Sequence, residues 1–388
     1  MTELDHSRFD VVIVGAGPAG TTCAALLARR GVRVLLCDKA AFPREKICGD
    51  CINPGCWDFF KLLGVENEVA ANAEHITGIK IAGRSGRVLD IPFEAGLPAK
   101  VFAPFMAIKR SKLDSLLLDR AVAEGAIFCE KTSVDSFVFS KSVKGSWRIS
   151  LRKQEDGVTF DIDCTVLIGA DGRNSRVARL LGGIDDEKGR AKESRLDRIG
   201  VQCTVKRTNM AASDVVMFFF EGGYGGIVGV TADEANVAMV VPRVLAQLAV
   251  TDSESFLAKT IHSNPYIQRT VSVLEIVGEI HTAFPITPRV NRRQYTSAYL
   301  IGDARHTTEP FTGEGIFFAM QDGLRTADSV SKSLGVVTDG ISLPLRSRFW
   351  RDNIVSPILQ QQSMTENLLA LGFRSKNLVK LASNMVFR

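Results

Sequence analysis

Apolar and polar positions follow different periods along this chain, and each period predicts a different kind of element. Residues 11–14 are a continuous run of β-branched apolar side chains, the pattern of a strand buried on both faces. A glycine turn follows, and residues 19–30 then carry apolar side chains at helical spacing until Gly31 ends the run. Residues 32–37 begin a second apolar strand, so this stretch predicts a βαβ unit with a parallel strand pair and a right-handed crossover. A second helix is expected over 112–124 and a short strand over 126–129.

From 134 to 163 the pattern changes to alternation in SFVFS, SWRISL and GVTFDID, separated by Gly145 and Gly157, which predicts antiparallel hairpins. Residues 165–168 read as a separate, largely apolar strand. Between about 195 and 285 the runs VQCTV, VVMFFF, GGIVGV and NVAMVV predict another sheet with few helices. A last buried strand is expected over 299–301, a helix from Gly315 to about 334, and helical character over 345–388. The expected fold class is α/β, α+β overall, with a nucleotide domain interrupted in sequence. Its pieces are 1–75, 100–185 and 285–335; the β-rich substrate domain takes 76–99 and 186–284, and the C-terminal helical segment 336–388.

Composition narrows the function classes. A chain of 388 residues is long enough for roughly two domains. With 45% hydrophobic and 23% charged residues it belongs with ordinary globular proteins rather than disordered ones. The net charge of +5, with 48 Lys+Arg against 43 Asp+Glu and no long run of one sign, argues against nucleic acid as a partner. The apolar stretch 9–28 stands where a signal peptide or anchor would be, but Gly15, Gly17, Gly20 and Pro18 break it and Asp5 and Asp10 flank it. The eight cysteines are scattered, and a reducing cytoplasm is the expected setting. Residues 361–388 carry Arg374, Lys376, Lys380 and Arg388 among apolar side chains, which fits either a helix capping the substrate domain or peripheral membrane contact.

Three segments carry the candidate chemistry. In VVIVGAGPAG, a strand leads into G-x-G-x-x-G: Gly15 for the tight turn, Gly17 for close approach to a pyrophosphate, and Gly20 after Ala19 for helix-to-strand packing. The helix N-terminus favours the anion, and Asp38, followed by Lys39, ends the next strand where an acidic side chain accepts from ribose hydroxyls. That motif alone does not separate NAD from FAD. The late segment YLIGDARHTTEPFTGEG does, because Gly302 and Asp303 follow a strand and Pro310, Gly313, Glu314 and Gly315 open a helix, giving a second anchor of the kind a long cofactor such as FAD needs.

Taken together, GAGPAG, Asp38, FPREKICGD, IKRSKLD, IGADGRNSRVAR and IGDARHTTEPFTGEGIFFAMQDG span residues 10–330 and resemble the FAD-dependent class with the fold of para-hydroxybenzoate hydroxylase. Within it the chain is similar to the geranylgeranyl reductase-like branch. The resemblance implies a doubly wound FAD-binding domain of the glutathione reductase type. It also implies that Arg44 and Arg110 contact FAD phosphate or ribose groups, that Asp303 binds the ribitol, and that Asp171 serves cofactor binding and folding together. Cys48 and Gly49 of the CGD string correspond to a cysteine-containing loop that approaches the flavin in that branch.

Cys48, Cys51 and Cys56 lack the second C-x-x-C and the neighbouring histidines that a zinc site needs. They read either as a thiol couple at Cys48 and Cys51 or as buried, inert thiols. His306 after the GD string reads as structural. Phe218, Phe219, Phe220, Tyr224, Phe317 and Phe318 are core residues or pocket walls, and neighbours on one strand must face opposite ways. The expected activity is that of an FAD-dependent oxidoreductase, with NAD(P)H as transient donor and an apolar or aromatic small-molecule substrate, with a peptide or carrier-bound substrate as the alternative. Oxygenation in the manner of a monooxygenase leads slightly over reduction of an activated double bond. A flavin-binding maturation or partner protein without small-molecule turnover is the reading from another class.

Overall fold

The computed structural model describes residues 6–338 except 49, 93–104, 141–144, 183–197, 207–213, 243–247, 249–250, 271–274, 285, 287–288, 292–294, 308–309 and 311–312. Gly49 and the basic C-terminal segment therefore lie outside the described residues.

The strand Arg8–Val14 lies inside a seven-stranded sheet, parallel to Val34–Cys37 on one side and to Thr159–Gly169 on the other. The short strands Ile127–Cys129 and Ala298–Leu300 extend the parallel part. Thr132–Ser140 and Ser146–Lys153 extend it as an antiparallel meander. Thr159–Gly169 belongs to both parts and corrects the sequence reading, which divided it into a hairpin strand and a separate strand over 165–168. No turn residue interrupts it. Its burial alternates while it runs in the meander and becomes continuous from Val166 to Gly169, where it enters the parallel part between Val11–Val14 and Ala298–Leu300. A strand that changes from one-sided to two-sided burial changes its hydrophobic period without ending.

The helix Pro18–Arg29 starts immediately after Gly17, with Pro18 at the first helical position, where its missing N–H costs nothing. It is buried along almost its whole length between the helices Arg110–Ala123 and Gly315–Ser333. Small residues permit this: a Cβ on Gly323 would stand 2.6 Å from the backbone oxygen of Ala19. Arg30 fastens the far end, donating to Asp328 at 2.6 Å and to Ser331 at 3.0 Å.

The second seven-stranded sheet contains Gly78–Ala82, Val88–Pro92, Arg198–Lys206, Asp214–Phe220, Gly223–Gly229, Glu234–Pro242 and Ile276–Ala283. Gly78–Ala82 joins it parallel to Asp214–Phe220. The sequence reading expected few helices here, yet Ser253–His262 and Pro265–Thr270 cover one face, packing Phe256, Ile261 and Ile267 against Val201, Phe218, Val237 and Val241. The other face carries Val215, Met217, Phe219, Tyr224, Val228 and Val240, with Ile286 packed beside them.

Candidate active site

Gly15 has φ +108°, and a Cβ there would stand 2.3 Å from the carbonyl oxygen of Ala170. Only glycine fits the turn, which thus lies against the end of Thr159–Gly169. Gly20 is equally constrained, since a Cβ on it would come within 1.9 Å of the Gly15 carbonyl oxygen. Asp38 is 8% exposed and braces the same loop: its carboxylate accepts from the N–H of Ala16 at 2.8 Å and of Ala40 at 2.9 Å. Ala19 and the exposed Lys39 line the space above.

Asp171 organises the middle segment. Its carboxylate accepts from Ser175 Oγ at 2.5 Å and from the N–H groups of Arg176 and Val177 at 2.7 and 3.2 Å, while Ser175 Oγ accepts from the N–H of Ala178 at 2.9 Å. Burial raises its pKa and these donors oppose that rise. In the late segment Gly302 has φ +57° and donates its N–H to Asp322 Oδ2 at 3.1 Å. Asp322, buried on the helix Gly315–Ser333, also lies 3.5 Å from His306 Nδ1 and from Arg305. It holds the GD turn to that helix, with Asp303 on the neighbouring wall. Glu314 is buried at the mouth of the helix, between the exposed Gly313 and Gly315.

The two arginines implied by resemblance share one buried carboxylate. Arg110 makes a bidentate pair with Asp114, both bonds 2.9 Å, and Arg44 reaches the same Asp114 at 3.0 Å. Arg44 also stacks on Phe42, and its amino group is 3.3 Å from where a Cβ on Gly17 would be. Sequence reasoning missed Asp114, although its i,i+4 spacing from Arg110 in KRSKLD was visible, and Asp322, a polar residue on the buried face of a helix. It also missed Lys46, whose side chain lines the same space beside Asp303.

The Cys48 backbone is clamped from the second sheet: its N–H donates to Gln202 Oε1 at 2.8 Å, and its carbonyl accepts from Asn236 Nδ2 at 2.8 Å. Burial pushes its thiol pKa up, opposed by the Arg110 guanidinium beside it. Cys51 is likewise held protonated by burial, and Cys56 is fully buried. Asp50, between the thiols, takes φ +55° and is 4% exposed.

One cavity of about 1010 Å³ joins these parts. Gly15, Gly17, Asp38, Arg44, Asp171, Asp303, Gly313 and Gly315 line one region of it; Met217, Tyr224, Val228, Met239, Phe284 and Ile286 line another; Cys48 and Cys51 are also on its wall. Among the described residues no group of His, Cys, Asp and Glu side chains is arranged to hold a metal, and no helix is long and apolar enough to cross a membrane.

The residues fit FAD. The turn at Gly15 and Gly17 leaves its backbone bare toward the cavity, Arg44 stands over it with a buried Nε that has no hydrogen-bond partner, and a second helix opens at Gly315. Those are the donors and spaces that a dinucleotide with a remote second half requires.

This geometry is that of an FAD-dependent oxidoreductase with the para-hydroxybenzoate hydroxylase fold. The chain belongs to the FAD binding domain family, whose model matches residues 8–335. It is 29% identical over 335 residues to conditioned medium factor receptor 1 of Dictyostelium discoideum, covering 82% of this chain and spanning 62% of the length of that receptor. It is 27% identical to digeranylgeranylglycerophospholipid reductase 1 of Methanothermobacter thermautotrophicus, with 94% of this chain and 88% of that one aligned. The structure of the flavin-dependent brominase Bmp2 superposes with a TM-score of 0.75 at 19% identity, covering 98% of this chain and 93% of that chain.

Proposed function

We propose that the protein reduces a carbon–carbon double bond of an apolar small molecule, using FAD recharged by NAD(P)H. The observation that carries this reading is the single cavity shared by the glycine turns and the apolar face of the second sheet, with a protonated Cys48 thiol on its wall. Gly15, Gly17, Arg44 and Asp303 would hold the cofactor, together with the donors of the Gly313–Gly315 turn. Met217, Tyr224, Val228 and Ile286 bind the apolar part of the substrate and exclude water. Bound FAD supplies the two-electron redox couple. Saturating a double bond takes a hydride, which originates with NAD(P)H, and one proton, which Cys48 Sγ–H holds at the cavity wall. The reductase aligned over 94% of the chain supports the direction of the reaction. A reducing cytoplasm, the expected setting for eight scattered cysteines, completes the reading.

Oxygenation is the second reading, supported by the fold shared with a flavin-dependent brominase. The two separate under argon. Holoenzyme mixed anaerobically with NAD(P)H and a panel of unsaturated apolar compounds should give a product heavier by two hydrogens, and Cys48→Ala should slow that step more than Cys48→Ser. Turnover that needs O2 and adds an oxygen atom would overturn reduction in favour of oxygenation.

A further inference from the structure

The FAD pyrophosphate carries two negative charges, and the arginines that the motifs point to are largely committed elsewhere. Arg110 uses its fork on Asp114 and lies against Cys48, while Arg44 shares Asp114 through its amino group and keeps its buried Nε unpartnered. On the glycine turn, the Ala16 N–H is committed to Asp38. Lys46 is different. Its ammonium lines the cavity with no hydrogen bond or ion pair to any described residue, 3.5 Å from where a Cβ on Gly172 would stand. Burial lowers its pKa; Asp303 opposes this, and Arg110, Arg44 and Arg173 add to it. A desolvated cation among other cations is unfavourable without an anion to meet it. Gly172 follows Asp171, whose carboxylate is occupied by its own turn, so that segment offers Lys46 no counter-charge.

We propose that Lys46 is the cation that neutralises the cofactor pyrophosphate, whereas Arg110 acts mainly as a brace, for Arg44 through Asp114 and for Cys48 directly. The inference rests on the FAD reading and assigns Lys46 to the phosphates rather than to the flavin ring. Its placement supports the phosphate side: Lys46 Nζ stands at Gly172, and Arg44, whose amino group overhangs Gly17 of the pyrophosphate turn, is near enough to act on its charge.

Apoprotein prepared by stripping the flavin is titrated with FAD and, separately, with riboflavin, which has the ring and ribitol but no phosphate. Binding is read from quenching of flavin fluorescence in wild type, Lys46→Met and Lys46→Arg. FAD should bind Lys46→Met about tenfold or more weakly, the scale of one charge-assisted contact. Riboflavin affinity should be unchanged, and Lys46→Arg should recover most of the loss. Equal FAD affinity in Lys46→Met would overturn the assignment, as would an equal loss toward both ligands. A shifted flavin midpoint potential with unaltered affinity would place the ammonium against the ring and overturn it too. Thermal melts of the three apoproteins show whether any loss reflects misfolding; a rescue by Lys46→Arg at matched stability counts for the proposal, and its absence against it. Wild-type protein that fails to take up FAD would instead refute the cofactor reading on which the inference stands.

Discussion

Asp50 shows how a single buried side chain imports pH dependence into the site. It occupies a left-handed backbone position, and its carboxyl is raised from 3.8 to about 7, chiefly by burial, with the Arg110 guanidinium opposing the rise. The folded chain therefore binds this proton more tightly than the unfolded chain does. The resulting stability is fully present below about pH 4, and it is lost as pH rises through about 7. Asp50→Asn removes the titration while keeping the side-chain size and the tolerance of positive φ. Urea unfolding of both proteins at about pH 4 and about pH 8 should show the wild type losing stability relative to Asp50→Asn at the higher pH; parallel behaviour would mean that folding leaves the Asp50 pKa unchanged. This network was only half legible in the sequence. Asp38, Asp303 and the glycines stand out in the sequence because turn motifs are local, but the bond by which Asp38 braces Ala16, 22 residues away, is one that the motif does not announce. Asp322 and Lys46 owe their places to neighbours that the fold brings together, and of the two contacts of Asp114 only the i,i+4 pairing with Arg110 was local, while that with Arg44 was not.

At the scale of elements, the contact between Pro18–Arg29 and Gly315–Ser333 fixes the distance between the two helix mouths that the cofactor must bridge. Ala19, in the first turn of Pro18–Arg29, lies against both Gly302 and Gly323. A Cβ on Gly302 would meet the Ala19 Cβ at 3.0 Å, and one on Gly323 would meet the Ala19 backbone oxygen at 2.6 Å and the Thr22 Cβ at 3.0 Å. Gly323→Ala must therefore push the helices apart, because the obstruction is backbone and cannot rotate away. The expected outcome is a loss of ~1–3 kcal/mol in denaturant unfolding, the usual range for overpacking, together with weaker FAD binding. Unchanged stability with unchanged affinity would show that the interface has slack. The helix Gly315–Ser333 was readable from its period. Ser253–His262 and Pro265–Thr270 were not, because helices this short are marginal alone and are held by packing Phe256, Ile261 and Ile267 onto a sheet.

Across the whole molecule, the cavity places FAD-type turns and an apolar sheet face in one enclosure, so cofactor uptake and substrate fit should be separable by mutation. Gly226 tests this, because it lines the cavity and stands opposite Met217 on one neighbouring strand and Ala238 on the other. A Cβ there would meet only the Met217 sulfur, at 3.3 Å, and the end of a methionine side chain can move. Gly225 next to it faces the packed side, where a Cβ would come within 2.5 Å of the Phe218 ring. Gly226→Val thus adds bulk to the cavity, whereas the same change at Gly225 would strike the core. With Gly226→Val, kcat/KM for any accepted apolar substrate should fall roughly tenfold or more, the scale of a clash in an apolar pocket, and FAD affinity should stay at the wild-type value. If FAD affinity falls in parallel, the sheet face forms part of the cofactor site. If neither value moves, the substrate binds elsewhere and the single-cavity reading of the function fails.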